Sequence, residues 1–388
     1  MKSANSLMSG LGTTVFEVMS GLAREYKSVN LGQGFPDDKG PDEVRRAAAD
    51  YLMDGHNQYP PMMGIPELRQ AVAEHAKRFQ GLDIDWQSEV LVTSGATEAL
   101  GDCLFGLIEP GDEVVLIEPL YDSYLPIVRR AGGIPKLVRL EPPSWSLPRQ
   151  ELADAFSART KLILFNTPMN PCSKVFDRPE LEFIADLCRK HDAYAVCDEV
   201  YEHIIFDGAE HVSIMSLPGM RERTARIGSA GKSFSVTGWK VGYVTAAPEM
   251  MKAIAKTHQF MTFTTPPNLQ WGTAAGLRLG DDYFSTLAGD MQRKRDRLAD
   301  ALAAIGFGVL PSKGTYFVTT DFRPLGFNGT DEDFCRHITV EAGVTAVPVS
   351  AFYSDVEKAP RHFARFCFCK HDTTLDSAVE RLSRHFSR

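Results

Sequence analysis

The sequence contains no long apolar segment and no excess of positive charge. None of its apolar runs approaches the roughly 20 residues that a helix needs to cross a bilayer. The first ten residues, MKSANSLMSG, lack the apolar core of a secretory signal. The 42 basic and 50 acidic residues give a net charge of −8, which disfavours binding to nucleic acid or to an anionic membrane. We therefore expect a cytoplasmic protein with neither of these partners.

The motifs of a metal site and of a disulfide framework are also missing. The seven cysteines are an odd number without framework spacing, which in a chain of this length indicates reduced, packed thiols. There is no CxxC pair and no HExxH motif. The one close pair, Cys367 and Cys369, has no set of histidines beside it. We expect no metal ion.

The middle of the chain alternates between strand-like and helix-like patterns. Strand-like runs occur at Val90–Thr93, Val114–Glu118, Lys161–Asn166, Tyr194–Asp198, Arg226–Ala230 and Val241–Ala246. Between several of these runs, apolar residues recur at helical spacing. Continuous apolar strands that alternate with helices predict an α/β fold, in which helices cover both faces of a mostly parallel sheet.

The pattern changes after about residue 248. Helix-like stretches at 248–260 and 283–304 are followed by strand-like runs near Tyr316–Thr320 and Phe363–Cys369 and by a closing helix near 372–386. This change predicts a second, smaller α+β domain. With 388 residues, of which 44% are hydrophobic, the chain is long enough for two to three domains.

Polar groups stand where three of the predicted strands end, and ligands of open α/β sheets bind at such ends. Strand 90–93 runs into Ser94-Gly95-Ala96-Thr97, whose small residues at a helix start suit a phosphate, although a plain helix cap has the same pattern. The run Lys161–Asn166 is followed by a turn in which prolines flank Asn170. This residue either offers an amide donor or is an ordinary turn residue. Asp198 follows Cys197 directly and needs a cation unless it caps a turn.

A lysine and an arginine complete the set of candidates. The run that ends in Gly231-Lys232-Ser233 imitates a nucleotide-binding P-loop, but Arg226 stands where GxxxxGK[ST] requires glycine, so we reject an NTPase. Lys232 is then either a surface lysine or an amine that attaches to a carbonyl cofactor and serves as a base. Arg365 lies within an apolar strand and requires an anion, either a substrate carboxylate or an internal Asp or Glu.

The order of these candidates is more informative than any one of them. A phosphate cradle, an amide donor, a carboxylate and a lysine follow successive strands, and an arginine that could bind a carboxylate lies in the other domain. Pyridoxal 5′-phosphate bound with an amino acid needs these same groups, for its phosphate, ring oxygen, ring nitrogen and aldehyde and for the substrate carboxylate. The residues therefore predict a pyridoxal-phosphate enzyme that acts on amino acids.

Six motifs carry a resemblance to a known family over residues 14–384. They are NLGQGFPD (30–37), NQYPPMMGIPELR (57–69), NTPMNPCSKVF (166–176), DEVYE (198–202), SAGKSFSVTGWKVGY (229–243) and RFCF (365–368). In these motifs the sequence resembles the class I/II aminotransferases of the fold-type I pyridoxal-phosphate enzymes. Within them it is similar to the branch of kynurenine aminotransferase, glutamine transaminase K and cysteine-S-conjugate β-lyase, with its bacterial relatives of the methionine aminotransferase type.

The resemblance implies a fold and a dimer. It implies a seven-stranded, mostly parallel sheet in a large cofactor-binding domain at 41–282, a small α+β domain at 283–388, and an N-terminal segment at 1–40 that joins the small domain. It also implies a homodimer with shared active sites, in which Tyr59 helps to bind the phosphate in the neighbouring subunit.

The resemblance further implies a role for each site residue. Lys232 would bind the cofactor aldehyde and act as general base, and Asp198 would bind the ring nitrogen. Asn170 and Tyr201 would bind the ring oxygen, and Tyr121 would stack on the ring. The phosphate would be held by Ala96, Thr97, Ser229 and Lys240. The substrate would meet Arg365, Gly34 and Asn170 at its α-carboxylate and Phe16 and Phe352 at its side chain.

Two departures from the relatives concern the substrate. Phe16 stands where some relatives have a tryptophan, and the phosphate cradle reads Gly95-Ala96-Thr97 where some have Gly-Gly-Tyr. The expected reaction moves the amino group of a large apolar or aromatic amino acid, such as methionine, glutamine, phenylalanine or kynurenine, to a 2-oxo acid in a ping-pong cycle. The alternatives are a β-eliminating lyase with the same site and a non-catalytic pyridoxal-phosphate sensor, for whose helix-turn-helix segment we expect no room. A dehydrogenase is rejected because no GxGxxG joins a strand to a helix.

Overall fold

A computed structural model describes residues 2–387 of the chain. The β-strands are β1 Val29–Asn30, β2 Val90–Thr93, β3 Glu113–Glu118, β4 Ile134–Arg139, β5 Thr160–Asn166, β6 Tyr194–Asp198, β7 Thr224–Ser229, β8 Gly242–Ala246, β9 Gly308–Val309, β10 Phe317–Asp321, β11 Val344–Thr345, β12 Val347–Pro348 and β13 Phe363–Cys367.

The α-helices lie between and around these strands. They are α1 Ser6–Ser9, α2 Val15–Tyr26, α3 Asp42–Asp54, α4 Pro66–Gln80, α5 Trp86–Glu89, α6 Gly95–Leu107, α7 Tyr124–Arg130, α8 Arg149–Ala155, α9 Arg178–Lys190, α10 Ala230–Ser233, α11 Pro248–Met261, α12 Pro267–Leu277, α13 Asp281–Ile305, α14 Asp331–His337 and α15 Asp372–Phe386. A π-helical segment, Ile338–Ala342, follows α14, and short 3₁₀ turns occupy Ile214–Ser216, Thr237–Trp239, Arg323–Leu325, Val349–Phe352 and Val356–Lys358.

The large sheet has seven strands in the order β2-β8-β7-β6-β5-β3-β4. Strands β7, β6, β5, β3 and β4 pair in parallel, whereas β8 runs antiparallel to both of its neighbours. Alternate residues of the central strands enter different apolar cores, as Val114 and Leu116 enter one and Val115 and Ile117 the other. Both faces of the sheet are therefore covered, which confirms the predicted mostly parallel, seven-stranded α/β fold.

A second, four-stranded antiparallel sheet has the order β12-β13-β10-β9. It is followed by α15, and α13 connects it to the part of the chain that forms the large sheet. The N-terminal segment reaches this region because β1 pairs in parallel with β11, with Val29 opposite Val344. The division into residues 1–40, 41–282 and 283–388 stays a prediction. Within the described part of the chain, no helix is both long and apolar enough to span a membrane.

Candidate active site

A cavity of about 320 Å³ lies where strands of the large sheet end beside β10 and β13. Strands β5, β6 and β7 end at the same edge, and Phe16 on α2 and Arg365 on β13, which are 349 positions apart in the sequence, reach the same cavity. The candidate site residues that line the cavity are Phe16, Gly34, Ala96, Thr97, Tyr121, Asn170, Asp198, Tyr201, Ser229, Lys232, Lys240 and Arg365. Tyr59 and Phe352 are not among the lining residues.

Asp198 is a buried carboxylate that lacks an ion pair with any of residues 2–387. It ends β6, and its Oδ2 accepts a 2.7 Å hydrogen bond from the Tyr124 hydroxyl, while its Oδ1 accepts one of 3.3 Å from the Val200 N–H. Burial raises the pKa of Asp198 above its ordinary value, and the Tyr124 hydrogen bond opposes this only in part. A buried carboxyl in this state favours a ligand that brings a cationic N–H donor.

Lys232 lies beside Asp198, on the short helix α10 that follows the neighbouring strand β7. Its Nζ is 5.6 Å from the ring centroid of Tyr201 and 5.8 Å from that of Tyr316. Desolvation lowers the pKa of Lys232, and nearby groups, Asp198 among them, oppose the shift. A lysine with a lowered pKa is unprotonated more often and is therefore a better nucleophile and base.

The start of α6 forms an anion cradle opposite Lys240. The N–H groups of the first helical turn, which begins at Gly95, have no helical partners, and the Ser94 side chain does not cap them. A Cβ on Gly95 would lie 3.2 Å from Lys240 Nζ, so the ammonium group sits directly over this turn. Open N–H groups, a helix dipole and an ammonium group together suit a phosphate.

Arg365 is fully buried on β13, and not all of its N–H groups have hydrogen-bond partners. Its NH1 donates to Asn170 Oδ1 at 2.6 Å and its NH2 to the Gly32 carbonyl at 2.7 Å, but its Nε is buried without a hydrogen-bond partner. Burial lowers the pKa of Arg365 to about 10, so it stays cationic at neutral pH. A buried guanidinium that forms no salt bridge with a carboxylate of residues 2–387 suits an anionic ligand.

Position 34 requires glycine, because the backbone there lies close to the rings of Phe317 and Tyr316. A Cβ at this position would lie 2.5 Å from Phe317 Cζ and 3.2 Å from Tyr316 Cε2, so any side chain would displace these rings. The Gly34 carbonyl also accepts a 2.6 Å hydrogen bond from the Tyr316 hydroxyl. The loop backbone therefore passes directly over the rings of Tyr316 and Phe317, of which Phe317 lines the cavity.

Aromatic rings surround the guanidinium of Arg365. Its guanidinium carbon is 3.8 Å from the ring centroid of Phe317, 5.0 Å from that of Phe352 and 5.3 Å from that of Phe16. Phe352 is buried and packs edge-on against Phe16 at 5.7 Å, so it supports Phe16 from behind the cavity wall. Tyr59 is 84% exposed and contacts Phe263, outside this cavity.

Sequence reasoning missed several residues in or next to the site, and four of them contact residues that it did identify. Asn166 pairs with Asp198 across the sheet and donates from Nδ2 to the Asp198 carbonyl at 2.7 Å. Tyr124, Tyr316 and Phe317 contact Asp198, Gly34 and Arg365 as described above. Asn166 is the last residue of β5, the strand that leads to Asn170, and this position could have marked it as a site residue. The three aromatic residues lie in no local sequence motif that could have identified them.

The fold and the site together define a class of protein. A mostly parallel sheet carries an anion cradle, a buried carboxylate and a lysine at its strand ends, and a second sheet contributes a buried arginine, as in the fold-type I pyridoxal-phosphate enzymes. The chain belongs to the class I and II aminotransferases, because the model of that family matches residues 26–382. It is therefore a transaminase.

Similar proteins from several organisms carry aminotransferase names. The chain is 39% identical to a methionine aminotransferase of Escherichia coli, over 97% of each chain. It is 39% identical to kynurenine–oxoglutarate transaminase 1 of Homo sapiens, over 94% of this chain and 93% of that one. The solved structure of N-succinyldiaminopimelate aminotransferase from Mycobacterium tuberculosis superposes with a TM-score of 0.95 at 42% identity, over 98% of this chain and 100% of that one.

Class I and II aminotransferases depend on pyridoxal 5′-phosphate, and the residues of this cavity fit that group. The uncompensated carboxyl of Asp198 suits a protonated ring nitrogen, and the open first turn of α6 with Lys240 suits a phosphate. Lys232, which lines the same cavity, would suit the aldehyde by its amine. These residues therefore fit the ring nitrogen, the phosphate and the aldehyde of this cofactor.

Proposed function

We propose that this aminotransferase takes its amino group from an L-amino acid with a large uncharged side chain, such as methionine, glutamine, phenylalanine or kynurenine. The observation that supports this proposal is the set of cations that the described residues place in the cavity, which are Lys232, Lys240 and Arg365. Lys240 faces the anion cradle, Lys232 faces Asp198, and Arg365 is needed for the α-carboxylate. Among residues 2–387, no lining cation is left for a carboxylate on the substrate side chain, and an unpaired buried carboxylate is costly.

The same proposal assigns a role to each residue around the cofactor. Lys232 attaches the aldehyde, Asp198 binds the ring nitrogen, and Asn170 and Tyr201 bind the ring oxygen. Tyr121 stacks on the ring, and the phosphate is held by Ala96, Thr97, Ser229 and Lys240. The substrate is bound by Arg365, Gly34 and Asn170 at its carboxylate and by Phe16, supported by Phe352, at its side chain.

Pyridoxal 5′-phosphate supplies an aldehyde for the donor amine and a ring that accepts the electrons released at the α-carbon. The unprotonated Lys232 Nζ removes the proton from that α-carbon and holds it for return, because desolvation lowers its pKa. Asp198 keeps a proton on the ring nitrogen. Arg365 orients the substrate by its carboxylate, so that the α-proton faces Lys232.

We propose that the enzyme is a cytoplasmic homodimer in which Tyr59 reaches the partner's phosphate. The exposed apolar side chains of Tyr59, Phe260, Met261 and Phe263 support this proposal, because single chains rarely leave so many large apolar groups in water. Sedimentation analysis is expected to give twice the chain mass of 42.9 kDa. Phe260→Asp is expected to give single chains that bind the cofactor more weakly. A wild-type single chain that binds the cofactor fully would contradict the proposal.

The donor class is tested by transfer to pyruvate, with alanine formation as the measurement. Methionine, glutamine, phenylalanine and kynurenine are compared with aspartate and N-succinyldiaminopimelate, whose side chains carry carboxylates. We expect kcat/KM to be at least about tenfold higher for the uncharged donors, because each factor of ten requires only ~1.4 kcal/mol. A preference for the charged donors would refute the proposed class. Release of pyruvate and ammonia from a β-substituted cysteine in place of transfer would indicate an eliminating lyase.

A further inference from the structure

The loop Asn30–Asp37 is fixed along its length to β13 and to the residues that follow it. The Leu31 carbonyl accepts a 2.7 Å hydrogen bond from the Cys367 N–H, and the Asp37 N–H donates to the Cys369 carbonyl at 3.3 Å. Arg365 binds the Gly32 carbonyl between these two points. The loop therefore keeps a defined position relative to the guanidinium of Arg365, which binds the substrate in the proposed function.

Lys370 holds both the backbone and the ring of Phe35 in this loop. Its Nζ donates to the Phe35 carbonyl at 2.8 Å and lies 4.1 Å from the centroid of the Phe35 ring. Lys370 is 3% exposed, so these contacts replace most of the hydration of its ammonium group. One cation thus restrains the two parts of Phe35 that determine where its ring points.

Asp37 in turn fixes the ammonium group. Its Oδ1 is 3.3 Å from Lys370 Nζ, and its Oδ2 accepts hydrogen bonds of 3.1 Å from the His371 N–H and from the Thr374 hydroxyl. Burial alone would raise the pKa of Asp37, but the His371 and Lys370 contacts outweigh it and hold the pKa below its ordinary value. Asp37 therefore remains ionised and paired with Lys370 at neutral pH.

Phe35 is 42% exposed and lines both the cavity and a shallow neighbouring pocket that it shares with Asp37 and Lys370, so it stands at the border between the two. We propose that Phe35 selects the donor by the size of its apolar side chain, and that Lys370 is a positioning residue that acts through Phe35. This inference rests on the proposed function. A ring that is already fixed contacts an aromatic donor without the entropy loss of being ordered at each binding event.

The test is the ratio of kcat/KM for phenylalanine to kcat/KM for alanine, measured in holoenzyme. Phe35→Ala is expected to lower this ratio about tenfold, mainly through a higher KM for phenylalanine. Lys370→Met, which keeps the length of the side chain but removes the charge, is expected to lower it about threefold. In the Phe35→Ala background, Lys370→Met is expected to have no further effect on the ratio. An unchanged ratio in Phe35→Ala, or an equal effect of Lys370→Met in both backgrounds, would overturn the inference.

Lys294→Met is the matched control, because Lys294 is similarly buried and pairs with Asp290 and with Asp38 next to the loop, but does not line the cavity. It is expected to leave the ratio unchanged. If Lys370→Met does not fold, Asp37→Asn takes its place, with the same expected direction.

Calorimetry with 3-phenylpropanoate and propanoate measures the same selection without turnover. Wild type is expected to prefer the aromatic acid, and Phe35→Ala is expected to lose most of that preference. If no donor is transferred at all, the proposed function fails, and this binding comparison still decides the role of Phe35. If transfer occurs with unchanged ratios and unchanged binding preferences, only the inference fails.

Discussion

Lys232→Ala is expected to reduce amino transfer by at least about 10⁴-fold. The substitution removes both the amine that attaches the cofactor and the base that moves the α-proton, and loss of general acid–base catalysis alone costs about 10²- to 10⁴-fold. Stopped-flow or prolonged assays with methionine measure the residual rate. The visible absorbance spectrum before and after borohydride treatment provides a second measurement. In wild type, borohydride is expected to fix the cofactor to the peptide that contains Lys232, whereas in the variant the cofactor remains removable by dialysis.

Lys232→Arg tests whether the positive charge of this side chain is sufficient, or whether an amine that can lose its proton is needed. Arginine keeps a cation beside Asp198 but is not deprotonated in proteins, so it is expected to be as inactive as alanine. Small primary amines such as methylamine are expected to restore part of the activity of Lys232→Ala, because they supply a base that fits the vacated volume. Activity of the alanine variant above about a tenth of wild type would show that another group moves the proton.

The sequence predicted the buried strands of the large sheet better than the partly exposed strand β4. Strands β3, β5 and β6 are buried throughout or nearly so and therefore appear as continuous apolar runs. Strand β4 stands at the sheet edge with most of its residues exposed or half-buried, and its sequence, IPKLVR, carries no such run. Helix α12 was not predicted from the sequence. It is buried on several sides and includes glycines, so no single apolar stripe marks it as a helix.

The candidate site shows a similar division between local and non-local information. Asp198, Asn170 and Lys232 were found because they lie at the end of a strand or within four residues of one, and the edge of a parallel sheet brings such positions together. Tyr124 was not found, although its hydroxyl binds the central carboxylate, because it lies 74 residues away on α7 in an ordinary helical pattern. The contacts of Lys370 with the carbonyl and ring of Phe35 join residues that are 335 positions apart. Only the three-dimensional packing identifies such contacts.

Asp198→Asn is expected to reduce amino transfer by about 10³-fold while leaving the fold intact. The carboxylate of Asp198 keeps the ring nitrogen protonated, and loss of one preorganised electrostatic contact of this kind costs about 10²- to 10³-fold or more. Because asparagine is similar in size, Tyr124 and Val200 keep their positions. The matched control is Asp102→Asn, since Asp102 is also a buried carboxyl whose pKa is raised, to about 8, mainly by burial, but it lies outside the cavity. We expect that control to retain nearly full activity.

The same substitution is expected to stabilise the cofactor-free protein at neutral pH. Burial raises the pKa of Asp198 from its ordinary value of 3.8, so the folded chain holds a proton that the unfolded chain has already released. The free energy of unfolding of wild type therefore falls as pH rises from about 4 through the raised pKa, whereas the amide of the Asp198→Asn variant has no proton to lose. Urea denaturation of the two cofactor-free proteins between pH 4 and 8 should show a gap that widens with pH in favour of the variant. A gap that is constant or closes with rising pH would mean that Asp198 is compensated within the chain and does not depend on the cofactor for its counter-charge.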